Sequence, residues 1–108
     1  MSKILDKLLN HYMNEDVAVL HYDKTTKKSE VVAYVSVNKN LPLAKKLEEA
    51  FVKTNSIHIA WWKNEEVETV FVGKSCRSTS VGDMVILDEK TYRCEDNGWK
   101  TLDGEIVK

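Results

Sequence analysis

Apolar residues recur along this chain with two different periods, and the changes of period mark out most of its elements. Ile4, Leu5, Leu8, Leu9 and Tyr12 fall at helical spacing behind Ser2, a residue type that caps helix N-termini, so a first helix is expected over residues 3–13. From Glu15 to Asp23 the pattern becomes an alternation, with Val17, Val19 and His21 on one side and Ala18, Leu20 and Tyr22 on the other. Alternation rich in β-branched and aromatic residues predicts a strand. The polar run KTTKKSE, residues 24–30, predicts a turn, and Val31 to Val37 a second strand that closes a hairpin. In LPLAKKLEEAFVKTNS the helical period returns: Leu43, Ala44, Leu47, Ala50 and Phe51 share one face, and Lys45, Lys46, Glu48, Glu49 and Lys53 cover the other. Pro42 suits the first position of this helix, where its missing N–H costs nothing, and Thr54, Asn55 and Ser56 end it.

After Ser56 the pattern shortens to strand-like segments: SIHIAWW, VETVFVG, DMVIL, TYRCE and WKTL. Turn residues separate them, Lys63 to Glu66 between the first two, Asp88 to Lys90 between DMVIL and TYRCE, and Asn97-Gly98 as a tight hairpin before Trp99. The order of helix, β-hairpin, central helix and about five short strands predicts an α+β fold with a mostly antiparallel sheet, its later strands able to curl into a small barrel. A doubly wound parallel fold would need strand and helix to keep alternating, and they do not.

Composition narrows this picture without changing it. A chain of 108 residues, 43% hydrophobic and 31% charged with both signs interspersed, is expected to form a single globular domain over residues 1–108. Its net charge of -1 argues against a protein whose affinity rests on neutralising nucleic-acid phosphates. No apolar run reaches the roughly 18 residues a membrane helix needs, and Asp6, Lys7 and His11 break up any signal-peptide core, so a cytoplasmic protein is expected. In that compartment Cys76 and Cys94 are expected as two reduced, partly buried thiols.

Candidate chemistry is sparse. Gly73-Lys74-Ser75 matches the tail of a phosphate-binding loop, but the required earlier glycine is replaced by Glu68 and the next residues head for a strand, so a turn is the better reading. His11, His21 and His58 are scattered and neither cysteine lies near another ligand in sequence; no metal and no cofactor is expected, and His21 and His58 read as half-exposed strand residues. A cysteine nucleophile would need a histidine supplied by the fold, and Cys76 with His58 is the pair this pattern suggests. With no catalytic set assembled, an enzyme is the weaker class and would require a cleft with convergent polar groups. Trp61 and Trp62 are adjacent in a predicted strand and should point to opposite faces, Trp62 sharing the outer one with His58. Trp62, Trp99 and His58 are therefore the candidate interaction surface, because tryptophan is enriched among binding hot spots. The alternative is a nucleic-acid module using Lys24, Lys27, Lys28, Lys74 and Arg77, which requires those side chains to gather on one face. The simpler reading of the lysines is a solvated turn.

In RSTSVGDMVIL, residues 77–87, Gly82 permits a positive φ, Asp83 can accept from nearby backbone N–H groups, and Ser78, Thr79 and Ser80 read as turn-fixing hydroxyls. Met84 and Ile86 should face one side of the following strand, Val85 and Leu87 the other. From Asn55 to Leu102, NSIHIAWWKNEEV, RSTSVGDMVIL and TYRCEDNGWKTL resemble a group of small uncharacterised accessory proteins of tailed bacteriophages. Such proteins share a tryptophan-bearing segment, an R-S-[TM]-S-V-G-D strand entry (here Arg77 to Asp83) and a closing G-[WF]-x-x-[LI] (here Gly98 to Leu102). The departure is Glu95-Asp96-Asn97, where aromatic or serine residues are common. The resemblance implies a product of the host bacterial cytoplasm that acts by binding a host or phage protein; the tryptophan surface and an unpaired edge strand would also suit a second copy of the chain, as a homodimer. It implies no catalytic residue.

Overall fold

The computed structural model describes residues 13–55, 60–71 and 73–107. The helix expected over residues 3–13 and the position of His58 lie outside, or almost wholly outside, these residues. Strands β1 (Asn14–Asp23) and β2 (Lys28–Asn38) form the expected hairpin, followed by helix α1 (Leu43–Lys53) and a single 3₁₀ turn, Trp61–Lys63. Four short strands complete the chain: β3 (Val67–Thr69), β4 (Met84–Leu87), β5 (Lys90–Glu95) and β6 (Gly98–Thr101). Together they make one six-stranded sheet in the order β3-β2-β1-β4-β5-β6, antiparallel at every pairing.

Cross-strand register fixes which side chains share a face. Val17 lies opposite Val35, Val19 opposite both Ala33 and Val85, Val85 opposite Tyr92, and Cys94 opposite Trp99. All are buried, so one face of the sheet is the core. The alternation expected at residues 84–87 appears as Val85 and Leu87 buried inward and Met84 and Ile86 half-buried on the far face. Helix α1 lies across the inner face, contacting β2, β1 and β6, and buries Leu47 and Ala50 while Phe51 meets Trp99 edge-on at 6.4 Å.

The sheet does not close into a barrel. Its edge strands β3 and β6 are not paired with each other, and α1 spans the distance between β2 and β6, so a helix covers the core that barrel closure would otherwise enclose. Both edges are blunted: β3 is three residues long, and the chain after β6 folds back so that Ile106 bridges Lys100 and the Val107 N–H donates to the Trp99 carbonyl.

Two further expectations are corrected. VETVFVG supplies only the short β3, after which the Val70 N–H donates to the Val32 carbonyl and the chain leaves the sheet towards a bend at Gly73, φ +118°. Trp61 and Trp62 are not in a strand. In a 3₁₀ turn successive side chains diverge by about 120° instead of opposing each other, so Trp61 is buried while Trp62 stays half-buried against its neighbour's edge. The buried indole N–H donates to the Cys76 and Arg77 carbonyls at 3.2 and 3.1 Å, which ties this turn to the loop ahead of β4.

Between Val19 and Leu20 the β1–β2 register slips by one residue, leaving Val32 as the extra residue of a bulge. Val32 and Ala33 are thereby both buried although adjacent. Beyond the bulge, Glu30 lies opposite His21, and the turn end of the hairpin forms one wall of the site described next. No helix among the described residues is long and apolar enough to cross a membrane.

Candidate functional site

The loop ahead of β4 is shaped by one ion pair. Asp83 is 2% exposed and receives the Arg77 guanidinium through two parallel bonds, Nη1 to Oδ2 at 2.6 Å and Nη2 to Oδ1 at 2.7 Å. Its remaining lone pairs accept the Tyr22 N–H on Oδ1 and the Ser80 N–H on Oδ2, both at 2.8 Å. Burial alone would raise the Asp83 pKa, but the bonds from Arg77, Tyr22 and Ser80 outweigh it and hold the carboxyl below its ordinary value. Arg77 also donates to the Tyr22 carbonyl and to the Ser78 carbonyl, both at 3.1 Å. The loop between residues 77 and 83 is thus closed on itself and clamped to the end of β1, with Gly82 at φ +96° making the last turn before the strand.

That clamp places Thr79, 1% exposed, directly over His21. The direction of the hydrogen bonds follows from counting donors. The Ala50 carbonyl can only accept, so the Thr54 hydroxyl donates to it at 2.7 Å; Thr54 Oγ1 then accepts from the Thr79 hydroxyl at 2.7 Å, and Thr79 Oγ1 accepts from His21 Nε2 at 2.8 Å. The proton of neutral His21 therefore sits on Nε2. Its Nδ1 keeps the lone pair, and 3.5 Å away from that atom is the Sγ of Cys76. Trp61 closes the ring's other side edge-on at 6.4 Å. Burial lowers the His21 pKa; the charge of Asp83 opposes this and that of Arg77 assists it. Burial also pushes the Cys76 thiol up. The resting pair is a neutral thiol facing a neutral imidazole.

His21 and Cys76 both line a cleft of about 710 Å³ between the turn end of the β1–β2 hairpin and the loop that follows β3. Its volume falls within the ordinary range of small-molecule sites. Val31 and Phe71 give it apolar wall, and Lys24, Glu30, Arg77 and Asp83 give it charges of both signs. Among the described residues no three His, Cys, Asp or Glu side chains converge as a metal-binding set.

The candidates read from the sequence are distributed differently from expectation. Trp62 is half-buried, its ring edge-on to Trp61 at 5.9 Å and to Phe71 at 6.1 Å. Trp99 is 5% exposed and belongs to the core, because its partner across the pair, Cys94, and Phe51 of α1 enclose it. Lys27 and Lys28 are exposed at the hairpin turn and Lys74 at the bend after β3; of the five basic candidates only Lys24 and Arg77 line the cleft. Arg77 is spent on Asp83 and on backbone carbonyls, so the nucleic-acid reading loses its central contact. His21, expected as half-exposed, is 8% exposed and is the histidine that the fold brings to Cys76. Cys76 and Cys94 are both free thiols, Cys94 being buried and its thiol pushed up to about 11 by burial. One signal of His21 was present in the sequence: it shares the parity of Val17 and Val19, the buried face of β1.

No family model, no curated protein and no solved structure matches the chain.

Proposed function

We propose that this chain is a non-enzymatic, phage-type accessory protein of the host bacterial cytoplasm that works by binding another protein, with Trp62 as its anchor. The observation that carries the reading is the fixed, half-buried indole: two edge-on rings, Trp61 and Phe71, hold Trp62 in one orientation. A large aromatic group already immobilised in the free protein loses little further side-chain entropy on binding, which is what makes tryptophan an effective hot spot. The ionic groups nearest the loop support the same view, since the Arg77–Asp83 pair is satisfied internally and serves to position the chain.

The test uses the whole chain and its Trp62→Ala variant as paired baits in host lysate, with bound proteins quantified. The expected result is a set of proteins retained by the parent and depleted at least tenfold by the variant, about 1.4 kcal/mol or more of binding, while the two proteins unfold at similar temperatures. Identical retained sets overturn the reading.

A further inference from the structure

We propose that Cys76 and His21 form a thiol-exchange site on the wall of the cleft, taking small peptide-like disulfides that carry both ammonium and carboxylate groups. The site adjoins the Trp62 surface through Trp61 and Phe71, but its test reads modification of Cys76 and does not depend on binding by Trp62.

The geometry provides each part that the chemistry requires. The nucleophile is the Cys76 thiol, half-buried and lining the cleft. The base is His21 Nδ1 at 3.5 Å, and the orienting group is Thr79, which holds the proton on Nε2 and is itself fixed through Thr54 to the Ala50 carbonyl at the end of α1. This is the nucleophile, base and orienter arrangement of activated cysteines, assembled from residues 55 and 58 positions apart in sequence. Both side chains line the cleft, Cys76 half-buried and His21 8% exposed. Cys94 supplies the contrast within the same chain, since it is buried with its thiol directed at the Glu95 carbonyl and, among the described residues, no imidazole is bonded to it. The substrate class follows from the wall: Lys24 can receive a carboxylate, Glu30 an ammonium group, and Val31 and Phe71 the apolar body between them.

Exchange needs no oxyanion hole, only a base for the thiol and a proton for the leaving sulfur. As a disulfide sulfur approaches, the Cys76 Sγ–H proton moves to His21 Nδ1, the new Sγ–S bond forms, the incoming S–S bond breaks, and the departing thiolate takes the proton back from Nδ1. Cys76 is oxidised to a mixed disulfide and the incoming disulfide, which is the oxidant, is reduced to one free thiol. Among the described residues, the charged groups around His21 are Asp83 and Arg77 of the clamping loop and Glu30 across the strand pair; the paired charges of Asp83 and Arg77 act on it in opposite senses.

Glutathione disulfide is the probe, incubated with the full chain from about pH 5 to 9 and followed by intact mass, with peptide mapping to assign the cysteine. Because the proton goes to neutral His21, the rate at Cys76 is expected to rise with pH and level off near neutrality, well before the thiol itself ionises. Cys94 is expected to react at least tenfold more slowly than Cys76, and Cys76→Ser to leave only that slower reaction. In His21→Gln the rate should instead climb about tenfold per pH unit with the thiolate fraction, and be at least tenfold below the parent at pH 7. The parent profile decides the matter even if that variant folds poorly. A parent rate that climbs tenfold per pH unit through pH 9, or equal modification of Cys94, overturns the proposal.

Discussion

At the scale of single residues, Asp83 carries more of the architecture than any other polar side chain described. It joins Arg77, Ser80 and the end of β1 in one bonded unit, and its carboxylate is fully enclosed. Removing one partner of a buried pair leaves the other groups unsatisfied, which costs about 3–5 kcal/mol when both are enclosed. The Arg77 side chain is 47% exposed and can regain water, so Asp83→Ala is expected to cost about 3 kcal/mol in a urea titration, against less than about 0.5 kcal/mol for Lys74→Ala on the exposed bend. The sequence allowed Asp83 to be read as a backbone-bonding residue, because acids beside glycine commonly fix turns. It did not identify Arg77 as its partner. That pairing requires the loop to close first, and a sequence lists arginine equally well as a phosphate contact.

Among elements, those set by local interactions were legible. Helix α1 and the first hairpin follow from periodicity over about ten residues each; the observed bounds, Leu43–Lys53, Asn14–Asp23 and Lys28–Asn38, differ from expectation in that β2 takes in residues 28–30 of the expected turn and Pro42 is the N-cap instead of the first helical residue. The turn between β4 and β5 was also placed correctly. Asp88 and Glu89 there have φ of +51° and +67°, the two left-handed positions of a two-residue hairpin. Side chains with a Cβ are strained in that region by roughly 1–2 kcal/mol each, while glycine is not but loses about 0.5–1 kcal/mol more on ordering. Glu89→Gly should therefore stabilise the protein by about 0.5 kcal/mol, read as a higher urea midpoint with unchanged slope. The tryptophan pair went the other way. A run rich in isoleucine and tryptophan favours a strand by propensity, but the indole N–H of Trp61 finds its acceptors on Cys76 and Arg77, and that tertiary bond fits a turn.

For the whole molecule, the enclosed ionisable groups set how stability responds to acid. His21 has a folded pKa below 6.5, so on acidification the unfolded chain takes up a proton that the folded chain resists; its contribution is present above pH 6.5 and is lost as the pH falls through the lowered value. Asp83, held below 3.8, adds a second loss at lower pH by the same reasoning. The unfolding temperature should be flat between about pH 7 and 8, decline below about pH 6.5, and decline again below about pH 4, with His21→Gln removing the first acid decline and sparing the second. A unitary decline starting only below about pH 4 in the parent would show that His21 titrates normally. The sequence by itself determined the central helix, the hairpins, the antiparallel character and which side chains alternate along β1 and β4, because those depend on neighbours within one or two turns of chain. Tertiary structure alone decided that α1 would cover the sheet in place of barrel closure, that Trp99 would be buried, and that His21 would meet Cys76. These are contacts between distant segments, fixed by strand order and by the Arg77–Asp83 clamp, and no local pattern encodes which distant side chain arrives.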